Sequence, residues 1–581
     1  MAPAGLDRLP FRRIWAVDFE FGVQPGERPE PVCLVARELR SGELIRVWKD
    51  ELPRLERPPY GTGPEDLFVA YFASAELGCH RVLGWPMPER ILDLYVEHKA
   101  RYNGVPASTS YGLLGALTAN GLESMGALEK QEMRELVLRG GPWIESEQNS
   151  ILDYCQTDVD ALARLLPVMV ERIDLPRALL RGRYMAAVAA MEHMGVPVDL
   201  PMLEQLRERW DDLKIGLVEK IDADYGVYEG TTFKLERFID YLTRSNIAWS
   251  RLPSGRLSLS DETFRDRGRA HPQLEALRGL RHALSQMRLH ELSVGHDGRN
   301  RVLLSPFGSR SGRNTPSNSK FIFGSSAWLR GLIRPPPGHG LAYVDWSSQE
   351  IGIAAALSGD PQLIGAYQSG DPYLTFAKQI GAAPMDATKA SHKTVRDQFK
   401  AVVLGVNYGM AENTLADSIG QPVAAARDLL RRHRETYRRF WRWAESAVDL
   451  AMSQGEIQTI FGWPLRVGME PNPRTLLNFP MQANAAEMMR LACCLATERG
   501  IQVCAPVHDA MLICSPLDQL DADIDAMRAA MAEASRVVLD GFELETDAEI
   551  VRWPDRYADP RGAVMWATVM GLLEENIRVV A

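Results

Sequence analysis

Paired carboxylates mark two places in this chain where a divalent ion could be held. Asp18 and Glu20 are separated by one residue and follow the apolar run Ile14-Trp15-Ala16-Val17. Alternate residues of a strand project to one face, so both side chains can reach the same ion. Far downstream, Tyr154 and Asp158 lie four residues apart in a stretch whose apolar residues recur with helical period, among them Leu152, Cys155, Val159, Leu162 and Leu166. That spacing puts the phenol and the carboxylate on one helix face. In the second place, Asp345 ends an apolar strand, Glu350 follows five residues later at a helix start, and Asp509 sits in the tight turn between IQVCAPV and AMLIC. Strand ends and hairpin turns are rigid enough to bring carboxylates to two ions roughly 3.5–4 Å apart, the arrangement that phosphoryl transfer uses.

Between Asp345 and Asp509, Arg396, Lys400, Leu404 and Tyr408 recur every four residues. On a helix each step of four drifts by about 40°, so the four share a face about 120° wide. Its two cations suit a triphosphate, and its aromatic ring suits stacking on a base. Arg474, Asn478 and Gln482 repeat the same spacing, and their side chains can donate to the acceptors that every base pair shows in the minor groove. Pro480 is expected to open that helix, because proline suits a first helical turn. The basic run at 427–443 is read as a structural or solvated helix.

The elements that must position these groups change along the chain. Residues 1 to about 100 read as strands and turns, 145–175 as a helix, and 177–300 as mostly helical with amphipathic stretches at 203–217 and 274–292. SPFGSRSGRNTPSNSK reads as a cationic loop, 340–345 as a strand, and 390–455 as helices. Composition fits globular domains: 46% hydrophobic and 24% charged over 581 residues, enough for two to four domains. No apolar run reaches the roughly 18 residues of a membrane span. The seven cysteines are odd in number and form no CxxC pair, which argues for reduced thiols over disulfides or a zinc site. A net charge of −10 means that any nucleic acid would have to bind in a local basic groove.

VDWSSQEIGIAAALSGD, RDQFKAVVLGVNYG and VHDAMLI resemble, in order and spacing, motifs A, B and C of family A DNA polymerases, the family of bacterial DNA polymerase I. NFPMQANAAE, SGRNTPSNS and MEHMGVPVD resemble the family's template-contacting segment, primer-template loop and thumb start, so the likeness runs over roughly 180–555. It implies that Asp345 and Asp509 hold two Mg²⁺ ions. Arg396 and Lys400 grip the triphosphate, with Lys400 also a proton donor to pyrophosphate. Leu404 lines the nucleotide site, where the family usually has Phe or Tyr. Tyr408 packs beside the nascent pair, and Gly409 gives the template room. Glu350 blocks a 2′-hydroxyl, and Tyr373 stands where the family has a phosphate-contacting His. Arg313, Arg474, Asn478, Gln482 and His508 line the primer-template. The family's usual second acid of motif C is replaced by Ala510.

The N-terminal pattern resembles the DEDDy 3′→5′ proofreading exonucleases. That resemblance implies two further metal ions, held by Asp18, Glu20 and Asp158 with Tyr154 orienting the water. The family's remaining acid aligns best with Glu76, and Asp93 is the second choice. The expected fold is an α/β exonuclease domain with an RNase H-like mixed sheet at 1–175, followed by an α+β right-hand polymerase. Its thumb is expected at 176–300, its palm at 301–356 and 471–581, and its fingers at 357–470. The implied protein is a monomeric, phage-type polymerase without a 5′-nuclease domain, in the cytoplasm of a bacterial or phage-infected cell. Its expected partners are primer-template DNA and dNTPs, with room for a helicase or a processivity factor, and Mn²⁺ is an alternative metal. Two other readings stay open: a polymerase with a silent exonuclease, and an enzyme of the single-subunit RNA polymerase kind.

Overall fold

The computed structural model describes residues 5–580 except 106–109, 124–126, 253, 287–288 and 408. The N-terminal part is built on a mixed sheet of β1 (Arg13–Gly22), β2 (Glu30–Glu38), β3 (Leu44–Trp48), β4 (Asp66–Ala70) and β5 (Ile91–Asp93), in the order β3-β2-β1-β4-β5. β1 runs antiparallel to β2 and parallel to β4, so the sheet changes character at its central strand. Helices α1 (Ser74–Leu83), α2 (Leu94–Tyr102), α3 (Leu113–Ala119), α4 (Ala127–Arg139) and α5 (Glu145–Met169) complete it. The stretch expected as strands and turns thus contains two helices. Asp93 nucleates α2 as its N-cap, accepting hydrogen bonds from the backbone N–H groups of Tyr95 and Val96.

Alternation along β1 divides the apolar residues between two cores. Ile14 and Ala16 face the cluster that α5 closes with Ile151, Cys155, Val159 and Leu162. Trp15, Val17 and Phe19 face the larger cluster, which continues through α6 (Leu175–Met194) into the C-terminal half. Asp18 and Glu20 continue the even-numbered face, so the period that builds the core also carries both carboxylates toward α5.

The middle of the chain is helical: α7 (Leu200–Glu208), α8 (Trp210–Asp222), α9 (Leu235–Arg244), α10 (Asp261–Ala270) and α11 (Leu274–Gln286). Four two-residue strands stitch its loops: β6 (Val196–Pro197), β7 (Tyr228–Glu229), β8 (Thr232–Phe233) and β9 (Arg299–Asn300). Its core is a separate apolar cluster that starts at Val196 and includes Trp210, Phe238 and Phe264.

A four-stranded antiparallel sheet anchors the remainder, in the order β13 (Val503–Val507), β14 (Ala510–Pro516), β10 (His339–Trp346) and β15 (Thr546–Arg552). Around it stand α12 (Gln349–Ser358), α13 (Pro361–Gln368), α14 (Pro372–Gln379), α15 (Lys393–Asn407), α16 (Glu412–Ile419), α17 (Val423–Thr436) and α18 (Arg438–Gln454). After the hairpin β11 (Glu456–Gln458) and β12 (Pro464–Arg466) come α19 (Pro473–Glu498), α20 (Leu520–Val538) and α21 (Ala563–Val580). Trp346 at the end of β10 is fully buried, a side chain whose burial contributes about 2–3 kcal/mol. It pins the strand end that carries Asp345.

Pro480 lies inside α19 and does not open it, contrary to the expectation from sequence. The helix starts two turns earlier, where Asn472 caps it and Pro473 takes the first turn. The helix continues through Pro480, whose carbonyl accepts a 2.8 Å hydrogen bond from the Asn484 side chain. All seven cysteines are free and buried, as their irregular spacing led one to expect. Among the described residues, no helix is long and apolar enough to cross a membrane.

Candidate functional site

The four-stranded sheet presents one acidic edge. β10 delivers Asp345, and the β13–β14 turn delivers His508 and Asp509. His508 adopts φ 58°, a left-handed conformation rare for a residue with a Cβ. The backbone N–H of Trp346 donates to the Asp509 carbonyl at 3.2 Å, which locks the turn onto the strand end. Burial raises the Asp345 carboxyl to about 6, reinforced by the neighbouring charges of Asp509 and Asp547. Burial also raises Asp509, against the pull of His508 and Arg313. Carboxylates this buried and this close form an all-oxygen donor set that suits a hard divalent cation.

An open cavity of about 1050 Å³ joins this edge to α15. Arg396, Lys400 and Leu404 all line it, one helical turn apart as their spacing required. Tyr408 lies outside the described residues. Tyr373, at the start of α14, lies near both cations, with Arg396 5.4 Å and Lys400 5.7 Å from its ring centroid. Arg396 also donates to Asp371 at 2.5 Å, and Asp371 caps α14. Glu350, in the first turn of α12, accepts a 3.3 Å hydrogen bond from Arg313. The loop bearing Arg313 is held from behind, where buried Arg490 donates to the Gly312 carbonyl at 2.7 Å.

A second cavity of about 390 Å³ shares Arg313 and His508 with the first. Arg474 lies elsewhere, in a third cavity of about 360 Å³ that it lines with Gly409 and Trp441. Gly409 has φ 65°, and a Cβ there would meet the Arg474 side chain at 3.3 Å. Asn478 and Gln482 follow Arg474 along α19.

In the N-terminal part, ligand oxygens of Asp18, Glu20 and Asp158 all lie within 4.8 Å of one another. Burial, then repulsion from Asp158, raises Asp18 to about 8, and burial with the Asp18 charge raises Glu20. The Cys155 thiol on α5 donates to the carbonyl and to Oδ2 of Asp18, at 3.3 and 3.2 Å. Tyr154 is buried beside them at 6% exposure. Three oxygen donors this close fit a divalent ion.

Glu76 and Asp93 have different surroundings. Glu76 is buried in α1, and its Oε2 has no hydrogen-bond partner among the described residues. Burial, then the charge of Asp18, raises its carboxyl well above the ordinary value. Both Asp93 oxygens are engaged by backbone: Oδ1 accepts from Phe72 (3.0 Å) and Tyr95 (2.9 Å), and Oδ2 accepts from Ala73 (2.8 Å). Asp93 thereby clamps the left-handed turn at Phe72 (φ 76°) that launches α1 and Glu76.

Comparison with known proteins reaches the C-terminal half directly: residues 323–552 match the sequence model of DNA polymerase family A. Over this segment the chain resembles a family A DNA polymerase domain. DNA polymerase I of Aquifex aeolicus is 21% identical over 447 residues, which cover 69% of this chain and 75% of that protein. DNA polymerase I of Chloroflexus aurantiacus is 26% identical over 400 residues, 63% of this chain and 41% of the relative. The thermostable DNA polymerase I of Thermus aquaticus is 26% identical over 196 residues, only 23% of its length. In fold, the chain resembles the polymerase domain of Pol1 from M. smegmatis in complex with DNA primer-template and dNTP. That match has a TM-score of 0.68 at 19% identity and covers 97% of this chain and 98% of the other.

Three polar residues near the two acidic clusters escaped the reading of the sequence. Asp547 on β15 and Asp371 at the α14 cap both line the cavity that holds Asp345 and Asp509. Lys130 on α4 reaches the N-terminal carboxylates. Asp547 carried a faint signal, the alternation of Glu545, Asp547 and Glu549 on one strand face. Asp371 and Lys130 carried none, because their partners are distant in sequence.

Proposed function

We propose that this chain is a DNA-templated DNA polymerase that adds deoxynucleotides to a primer 3′ end and carries a 3′→5′ exonuclease in its N-terminal domain. The observation that carries the reading is the meeting, in one cavity of a family A domain, of Asp345 and Asp509 with Arg396, Lys400 and Tyr373. An acidic floor opposite a cationic and aromatic wall suits a nucleoside triphosphate: carboxylates for the metal-bound phosphates, cations for their free oxygens.

In this reading Arg396 and Lys400 bind the triphosphate, and Lys400 delivers a proton to the leaving pyrophosphate. Leu404 and Tyr408 flank the incoming base, while Glu350 excludes a 2′-hydroxyl. Arg313, Arg474, Asn478, Gln482 and His508 contact the duplex, and Gly409 leaves space for the template. In the exonuclease, Asp18, Glu20, Asp158 and Glu76 form the acidic centre, and Tyr154 orients the water that attacks the terminal phosphodiester. Mg²⁺, two ions in each site, would supply activation of the attacking oxygen and neutralisation of phosphate charge. The domain scheme is an exonuclease at 1–175, a thumb at 176–300, a palm at 301–356 and 471–581, and fingers at 357–470.

A labelled primer-template with Mg²⁺ tests both halves. With dNTPs the primer should lengthen, and Asp509→Ala should abolish this while leaving shortening intact. Without dNTPs the primer should shorten, and Asp18→Ala should abolish that. Extension with NTPs as readily as with dNTPs would overturn the choice of sugar. The absence of any extension would overturn the polymerase reading itself.

A further inference from the structure

The nuclease cluster contains a cation of its own. The Lys130 ammonium donates to both oxygens of Asp158, at 2.6 and 2.8 Å, and lies 5.6 Å from the Tyr154 ring centroid. The contact is well shielded, with side-chain exposures of 26% for Lys130 and 14% for Asp158. Its charge reaches Asp18 and Glu20 as well, where it offsets the repulsion between the carboxylates. Glu76, by contrast, keeps a buried Oε2 without a hydrogen-bond partner among the described residues, so the ammonium does not satisfy the whole set.

We propose that Lys130 is an internal counter-ion that closes this centre, and that a divalent ion must displace it from Asp158 to load the site. The inference rests on the nuclease reading of the cluster. An ammonium donating to both oxygens of Asp158 occupies the atoms that a divalent ion would need. A doubly charged ion drawn to the same oxygens meets a like charge at close range in a poorly screened pocket. The two cations therefore exclude one another, and the measured metal affinity is lowered by the work of moving Lys130. Because the same ammonium lies against Tyr154, its departure also uncovers the phenol assigned to the attacking water. Metal loading and opening of the centre become one event.

The test is Mn²⁺ titration by calorimetry on the whole chain, at a fixed pH, in an Asp345→Asn/Asp509→Asn/Asp547→Asn background that removes the carboxylates of the second acidic edge. Lys130→Met, which keeps the length and loses the charge, should bind Mn²⁺ at least about fivefold more tightly. Lys130→Arg should stay near the parent. Lys130→Gln serves as a second neutral variant should the methionine form fail to fold. Unchanged or weaker Mn²⁺ binding in the folded neutral variants would overturn the inference while leaving the nuclease reading in place. A parent whose Mn²⁺ binding survives Asp18→Asn would instead overturn the nuclease reading, and this inference with it.

Discussion

Asp345 and Asp547 stand directly opposite each other on β10 and β15, while the other neighbour of Asp345, across β14, is Ala510. Directly opposed residues of an antiparallel pair point to the same face, with Cβ atoms about 5 Å apart. Asp547 therefore joins Asp345 and Asp509 at the acidic edge of the sheet, from a strand that no motif covers. Ser347 holds it in place, its hydroxyl donating to Oδ2 of Asp547 at 2.6 Å. Asp547→Asn should slow single-nucleotide incorporation about tenfold and raise the Mg²⁺ concentration needed for half-maximal rate. Asp345→Asn should leave no measurable incorporation. Rapid-quench kinetics across a Mg²⁺ series separates the two, and an Asp547→Asn enzyme with parental kinetics would exclude a role for this carboxylate.

Arg396 donates to the Asp371 carboxylate. A triphosphate must compete with that carboxylate for the guanidinium. Asp371→Asn keeps an oxygen to cap α14 through the Leu374 N–H and gives up only the charge. The variant should lower KM for dNTP about threefold, with kcat little changed, because a ground-state competitor has been weakened. Steady-state extension kinetics reads this directly, and a raised KM would mean that Asp371 helps the nucleotide instead.

What could be read in the sequence, and what could not, divides by range. The strand ending in Asp345, the hairpin around Asp509 and the helix bearing Arg396, Lys400 and Leu404 are where the local patterns put them, because period and turn chemistry are short-range properties. Position alone ranks Glu76 ahead of Asp93 in the sequence. The surroundings that set the two carboxylates apart are long-range, since the backbone N–H groups of Phe72 and Ala73 are about twenty residues from Asp93. Pro480 misled for a related reason: a proline inside a long helix looks locally like one at its start. The earlier signal of Asn472 and Pro473 was the true boundary.

The Asp18 carboxyl sets a pH-dependent stability. Its folded value of about 8 lies far above its ordinary 3.8. The stability it contributes is therefore fully present below pH ~4 and is lost as pH rises toward 8, since only the unfolded chain ionises freely over that window. Asp18→Asn cannot ionise. The metal-free variant should exceed the parent in stability by about 1–3 kcal/mol at pH 8 and lose that advantage near pH 4. Adding Mg²⁺ at pH 8 should raise the parent's Tm more than the variant's. Calorimetric scans at both pH values check the sign, and a variant less stable than the parent at pH 8 would contradict it.

Glu76 and Asp93 should fail in different ways when altered. Asp93 ties Phe72, Ala73 and the first turn of α2 together through four backbone N–H groups, so its loss is a loss of folding energy. Asp93→Ala should cost about 2 kcal/mol and lower the Tm of the N-terminal transition by about 5 °C. Any nuclease defect should follow the unfolded fraction. Glu76→Gln removes a buried carboxyl that repels Asp18, so the fold should be as stable as the parent or more so. Nuclease activity should nevertheless drop about 100-fold, because a donor oxygen at the acidic centre has been neutralised. Measuring Tm and primer shortening on the same preparations distinguishes the two residues. A Glu76→Gln protein that degrades primers at the parental rate would remove Glu76 from the centre, since Asp93 has no oxygen left without a backbone partner to take its place.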